Sequence, residues 1–159
     1  MFYDNYKTFL DNIFTGFLQQ GIDAALFDLD HIAYQVSSDE EYDEFKPRLL
    51  SIAELVKEPL VDGRRVGVFM FRIPLLYKDY QIKTIELIAP VAGKTPKSEL
   101  DHAEFLTGTT LEEFIAKYPR IPFDLGNLNR KEFPMIKLSL PNGSRVKFPR
   151  YPILADTKT

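Results

Sequence analysis

Few residues in this chain are equipped for chemistry, and two of them recur in the same local setting. Asp30-His31-Ile32-Ala33-Tyr34 is followed 71 residues on (101 − 30) by Asp101-His102-Ala103-Glu104-Phe105. The order in both is acid, histidine, small or aliphatic residue, any residue, aromatic. The chain's 2 histidines occupy matching positions in these copies. Each copy then runs through Ser, Thr or Gly residues into an acidic, helix-like segment. A duplicated unit that brings its two imidazoles to one place, with a carboxylate beside them, would form a site for a divalent transition metal: Zn, Fe, Mn, Ni or Co.

The elements that must position these residues follow from the apolar pattern. Phe2, Tyr6, Phe9, Leu10, Ile13, Phe14, Phe17 and Leu18 are spaced by threes and fours, which predicts an N-terminal helix over 1–21 ended by Gly21. That helix has no counterpart between the copies, so it reads as an addition packed outside the repeat. A first module spans 28–91. Its opening strand, Asp30 to Val36, alternates His31, Ala33 and Gln35 against Ile32, Tyr34 and Val36. Ser38 and Glu41 form a capping-box pair that opens a helix containing Tyr42, Phe45, Leu49, Leu50 and Pro47. Ile52–Leu60 then reads as a strand, Asp62-Gly63 as a hairpin turn, and Arg65–Ile73 as the returning strand. Residues 74–79 read as a loop and Gln81–Ala89 as a further strand.

The second module spans 100–152. Strand 101–106 leads to a helix over 110–118 with Leu111, Phe114, Ile115 and Tyr118 as its buried stripe. Residues 120–132 are a long loop or a weak edge strand. Phe133–Leu140 and Arg145–Pro149 are strands around the turn at 141–144. The expected fold is therefore α+β, two β-α-β-β-β modules forming a cupped mixed sheet within a single domain, 1–159.

Bulk properties narrow the function. At 159 residues the chain can bury about 70% of its unfolded surface. With 20 basic and 23 acidic residues, a net charge of −3 gives no electrostatic reason to expect nucleic acid, and no basic amphipathic face suggests a membrane. The absence of cysteine removes disulfides, thiolate nucleophiles and Cys-ligated zinc. With no signal-peptide pattern and no apolar run near the roughly 20 residues a bilayer needs, a cytoplasmic location is expected. A core rich in Phe and Tyr is expected from 13 and 8 of them.

Strand alternation then assigns faces. If Ile85 and Leu87 pack under the helices, Glu86 faces the concave side. His31, His102, Glu104, Arg145 and Lys147 face it too. Buried charge without a partner is costly, so this cluster needs a reason. One is a metal held by His31, Glu86 and His102, with open positions for water or substrate. The other is a pair of core histidines, with Lys147 neutralising Glu86 and Glu104. Asp30 and Asp101 neighbour the histidines on the opposite strand face, so the imidazoles are expected to be oriented from elsewhere.

Asp30-His31-Ile32, Asp62-Gly63-Arg64, Gln81 leading to Ile85-Glu86-Leu87, His102-Ala103-Glu104 and Val146-Lys147-Phe148 together resemble the YecM-like family of bacterial proteins, over roughly residues 25–152. That family is placed in the vicinal oxygen chelate (glyoxalase/bleomycin-resistance) superfamily. The resemblance implies paired modules around a site, with metal ligands on the first and last strand of each. Carried over, those positions are His31, Glu86, His102 and Lys147. Lys147 departs from the pattern, since an ammonium repels a cation. The site is then a three-ligand centre or one that has lost its metal.

Two functions follow. A metal-dependent isomerase, lyase or dioxygenase would act on a small oxygen-rich metabolite, with Glu104 as the proton-transfer residue. A metal-free small-molecule-binding protein would use the same cup, with Arg64, Gln81 and Lys147 contacting an anionic or polar ligand. The oligomeric state stays open, and a homodimer is compatible with either function.

Overall fold

Local signals account for most element boundaries in the structure, a computed structural model that describes residues 1–155. In chain order the elements are α1 (Tyr6–Gln19), β1 (Asp28–Gln35), α2 (Asp39–Leu50), β2 (Ala53–Lys57), β3 (Leu60–Val61), β4 (Arg64–Tyr77) and β5 (Tyr80–Ile88). They continue with β6 (Glu99–Leu106), α3 (Leu111–Lys117), β7 (Met135–Ser139) and β8 (Arg145–Pro149). Ser38 and Thr110 cap α2 and α3, each accepting the backbone N–H three residues on. Gly21 (φ 69°) ends α1 in a Schellman turn, with Ile22 N–H donating to Phe17 O and Gly21 N–H to Leu18 O. None of the described helices is long and apolar enough to cross a membrane.

By internal packing the chain divides into two compact units, Met1–Lys7 with His31–His102, and Thr8–Asp30 with the residues from Ala103 on. The first holds a complete module. Its strand order is β2-β4-β5-β1, with β1 and β5 parallel, the other pairs antiparallel, and the short β3 beside β4. Asp62 and Gly63, both at positive φ, make the predicted hairpin turn. Most of the expected loop at 74–79 is instead strand, with only residues 78 and 79 turning. β4 runs through Pro74 to Tyr77, and Lys78 (φ 49°) turns directly into β5. Pro74 is tolerated because it falls in the bulge between Met70 and Leu75, where no ladder bond requires its missing N–H. Tyr34, Phe45 and Phe2 pack on the helix side, Phe2 stacking on Phe45 at 4.3 Å. Gly67 lies beneath Tyr42, whose hydroxyl a Cβ at Gly67 would meet at 2.5 Å. That hydroxyl donates to Glu58, which Lys46 also holds at 2.9 Å.

The second unit holds a reduced module of order β6-β8-β7, with β6 and β8 parallel. Residues 120–132 supply only a bridge, Asp124 with Lys137. Their Pro, Gly and Asn content does not sustain a ladder. Phe17, Phe27, Phe105, Phe114 and Phe148 form the aromatic core here. α1 joins it through Leu10, Ile13, Gly16 and Phe17, Gly16 allowing the helix down onto Leu140. Leu18, expected in the stripe, is 81% exposed. The line 10-13-16-17 faces the core, and Leu18 lies beyond its edge.

Candidate metal centre

Register determines which side chains meet. Ala33 pairs with Glu86 across β1·β5, and Glu86 with Val68 across β4·β5. Cross-strand partners share a face. One face of the first unit therefore carries Ala33, Val66, Val68, Glu86 and Ile88, with His31 two residues before Ala33. Tyr34, Phe69, Ile85 and Leu87 occupy the helix side, as alternation predicts.

Three predicted ligands converge. His31 Nε2 lies 2.7 Å from Glu86 Oε1, and His102 Nε2 lies 3.8 Å from the same oxygen. Both imidazoles are 1% exposed. Their ligand atoms and that of Glu86 lie within 4.8 Å of one another. Two ligands bound at about 2.0–2.2 Å to a tetrahedral ion stand about 3.3 Å apart, a spacing that the two observed distances bracket.

His102 Nδ1 lies 2.7 Å from Asp101 Oδ2. An ionised carboxylate only accepts, so Nδ1 carries the proton and donates it. In the neutral ring Nε2 then offers a lone pair, 3.8 Å from Glu86 Oε1. Two electron-rich atoms facing each other out of water favour a cation between them, which is the chemistry of a metal ligand set. His31 differs, since the 2.7 Å contact is a hydrogen bond in which its Nε2–H donates to Glu86. A metal entering here displaces that proton.

The role of Asp101 corrects the expectation that neither aspartate orients a histidine. Alternation fixes only the direction of each Cβ. A short Asp side chain can lean along the strand to Nδ1, the ring nitrogen nearest its neighbour's backbone. Asp30, in the matching position, accepts the backbone N–H of Ile153 at 3.0 Å.

The other predicted residues are placed as follows. Glu104 is buried, on β6 two residues beyond His102 and so on the same strand face. Lys147 is half-buried and in register with Glu104. Arg64 begins β4 on the face of Val68 and Glu86, and its buried Nε finds no hydrogen-bond partner. Gln81 is exposed, five residues before Glu86 on β5 and on the opposite face by alternation.

The YecM protein family model matches residues 1–158. The chain belongs to the YecM family. A Haemophilus influenzae relative described as an uncharacterized protein is 25% identical over 144 residues, covering 87% of this chain and 72% of its own length. A structural-genomics structure, Protein EC4020, superposes with a TM-score of 0.72 at 18% identity, over 92% of this chain and 84% of that one. A variant of Streptomyces coelicolor methylmalonyl-CoA epimerase in complex with 2-nitronate-propionyl-CoA superposes with a TM-score of 0.50 at 13% identity, over 77% of this chain and 95% of that one. This YecM-family chain thus has the glyoxalase-like fold, as its sequence pattern suggested.

Proposed function

We propose that the chain is a divalent-metal-dependent enzyme acting on a small oxygen-rich metabolite, by chemistry of the isomerase, lyase or dioxygenase kind. The supporting observation is the convergence of the buried His31 Nε2 and His102 Nε2 on Glu86 Oε1, at 2.7 and 3.8 Å, with His102 Nδ1 held by Asp101. His31, Glu86 and His102 would hold the ion. Two imidazoles and one carboxylate suit Zn, Fe, Mn, Ni or Co. The bound ion would act as a Lewis acid on a substrate oxygen. The chain's own residues supply the rest. Asp101 fixes the tautomer and tilt of His102. Burial of both imidazoles excludes water from two sides of the group. Glu104, a buried carboxylate on the same strand face as His102, is assigned to proton transfer. Sharing a fold with an epimerase fits the isomerase end of this range.

Because loading removes the Nε2 proton of His31, metal affinity is expected to fall as pH drops. The test is elemental analysis of protein purified without chelator or polyhistidine tag. Near-stoichiometric transition metal is expected, falling at least tenfold in His31→Ala and His102→Ala. Metal-free protein whose Tm ignores both added metal and chelator would sink this proposal and favour a metal-free binder.

A further inference from the structure

We infer that the sheet face of the second module turned away from α3 is an anion-binding surface, on which Lys137 and Lys147 clamp a carboxylate or phosphate group of a small ligand. Phe105 and Phe148 point to the aromatic core, so Glu104, Lys147 and their register partners point the other way. Lys147 pairs with Lys137 across β7·β8, and Arg145 with Ser139 in the adjoining row of that face.

The lysine pair is of the closer kind. Lys137 gives both its N–H and its C=O to Asp124 on its other side, at 3.1 and 2.8 Å. The pair with Lys147 is therefore not hydrogen-bonded through the backbone, and its Cα atoms stand about 4.5 Å apart with the side chains close together. Leu140 N–H to Ser144 O and Arg150 N–H to Pro134 O mark the alternating bonded positions on either side.

Like charges directly opposite one another destabilise a sheet, and both ammonium stems here are half-buried. Carboxylates lie at both ends of the row: Glu104 in register with Lys147, and Asp124 with Lys137. Asp124 Oδ1 accepts the Gly126 N–H at 2.9 Å. Among the described residues neither lysine forms an ion pair with them. The corresponding pair in the first module is Glu86 with Val68. One module thus offers a carboxylate where the other offers two cations, and two lysine side chains rising from paired positions on one face can converge on an anion. This inference stands on the second module alone and does not need a metal.

Thermal unfolding tests it, with inorganic phosphate and succinate as probes and sodium chloride at matched ionic strength as control. In the wild-type chain, one probe at about tenfold excess over its Kd is expected to raise Tm by about 3–6 °C above the chloride control. Which of the two does so separates a phosphate from a carboxylate ligand. Lys137→Met and Lys147→Met should each unfold at a higher temperature than wild type without the probes, and lose the probe-specific rise. Lys137→Arg should retain it. A rise matched by chloride, or a rise that persists in both Met variants, would overturn the inference. So would Met variants that are destabilised while the wild type shows no rise. Metal content of Lys137→Met, measured on the same samples, separates a failure here from a failure of the metal proposal.

Discussion

The two modules place opposite charges at one register position. In the first, the residue two beyond the histidine is Ala33 and its partner on the last strand is Glu86. In the second, the residue two beyond the histidine is Glu104 and its partner is Lys147. Asp101 binds the imidazole beside it, and Asp30 accepts a backbone N–H 123 residues away. Duplication preserved the backbone register and the face of each position. The chemistry at those positions then diverged one side chain at a time.

Erasing the difference at that position should have the largest effect. Glu86→Lys writes the second module's residue into the first. It is expected to lower metal affinity by about 100-fold or more, read by competition with a metal-responsive dye, because a ligand is lost and a like charge gained. Glu86→Gln, which keeps the size and removes the charge, should fall between this variant and wild type.

The two aspartates come next. Asp101→Asn should cost about 10–100-fold in metal affinity with little change in Tm, since the effect passes through the orientation of His102. Asp30→Asn should lower stability by about 1 kcal/mol in urea unfolding, through the weakened bond to Ile153.

A smaller contrast concerns how each module ties down its helix. Burial pushes the Glu58 carboxyl up, but hydrogen bonds from Lys46 and Tyr42 outweigh this and hold it below the usual glutamate range. A lowered value means the stabilisation is complete above about pH 4.5 and is lost as pH falls through the folded-state value. Glu58→Gln should therefore cost about 1 kcal/mol at pH 7 and progressively less as pH falls below 4.5. In the second module Arg150 grips Glu112 with two hydrogen bonds, 2.9 and 2.7 Å, and lowers its value in the same direction.

The smallest expected effect is that of Lys137→Val, which copies Val68. It should stabilise the chain by about 0.2–1 kcal/mol by removing the repulsion from Lys147.

Much of this was legible before any coordinates. The spacing of His31 and His102 announced the duplication, and alternation placed Glu86 and Lys147 on the correct faces. Ser38, Thr110, Gly21 and Asp62-Gly63 marked their boundaries through local hydrogen bonds and permitted φ, which need no distant partner. The extension of β4 through Pro74 was not legible, because a proline signals a break unless a bulge removes the need for its N–H. Lys137 carries no signal in the sequence, because its meaning depends on the residue opposite. Asp101 was misjudged because alternation describes where a side chain starts and not where a short carboxylate ends.

By itself, then, the sequence determined the elements, the doubled plan and the side of the sheet on which each polar residue stands, since these follow from periodicities of a few residues. Only the tertiary structure decided that His31 and His102 share one oxygen of Glu86, and that Lys137 faces Lys147 at close spacing. Such meetings depend on strand register between segments far apart in the chain, where a slip of one residue would turn every side chain to the other face.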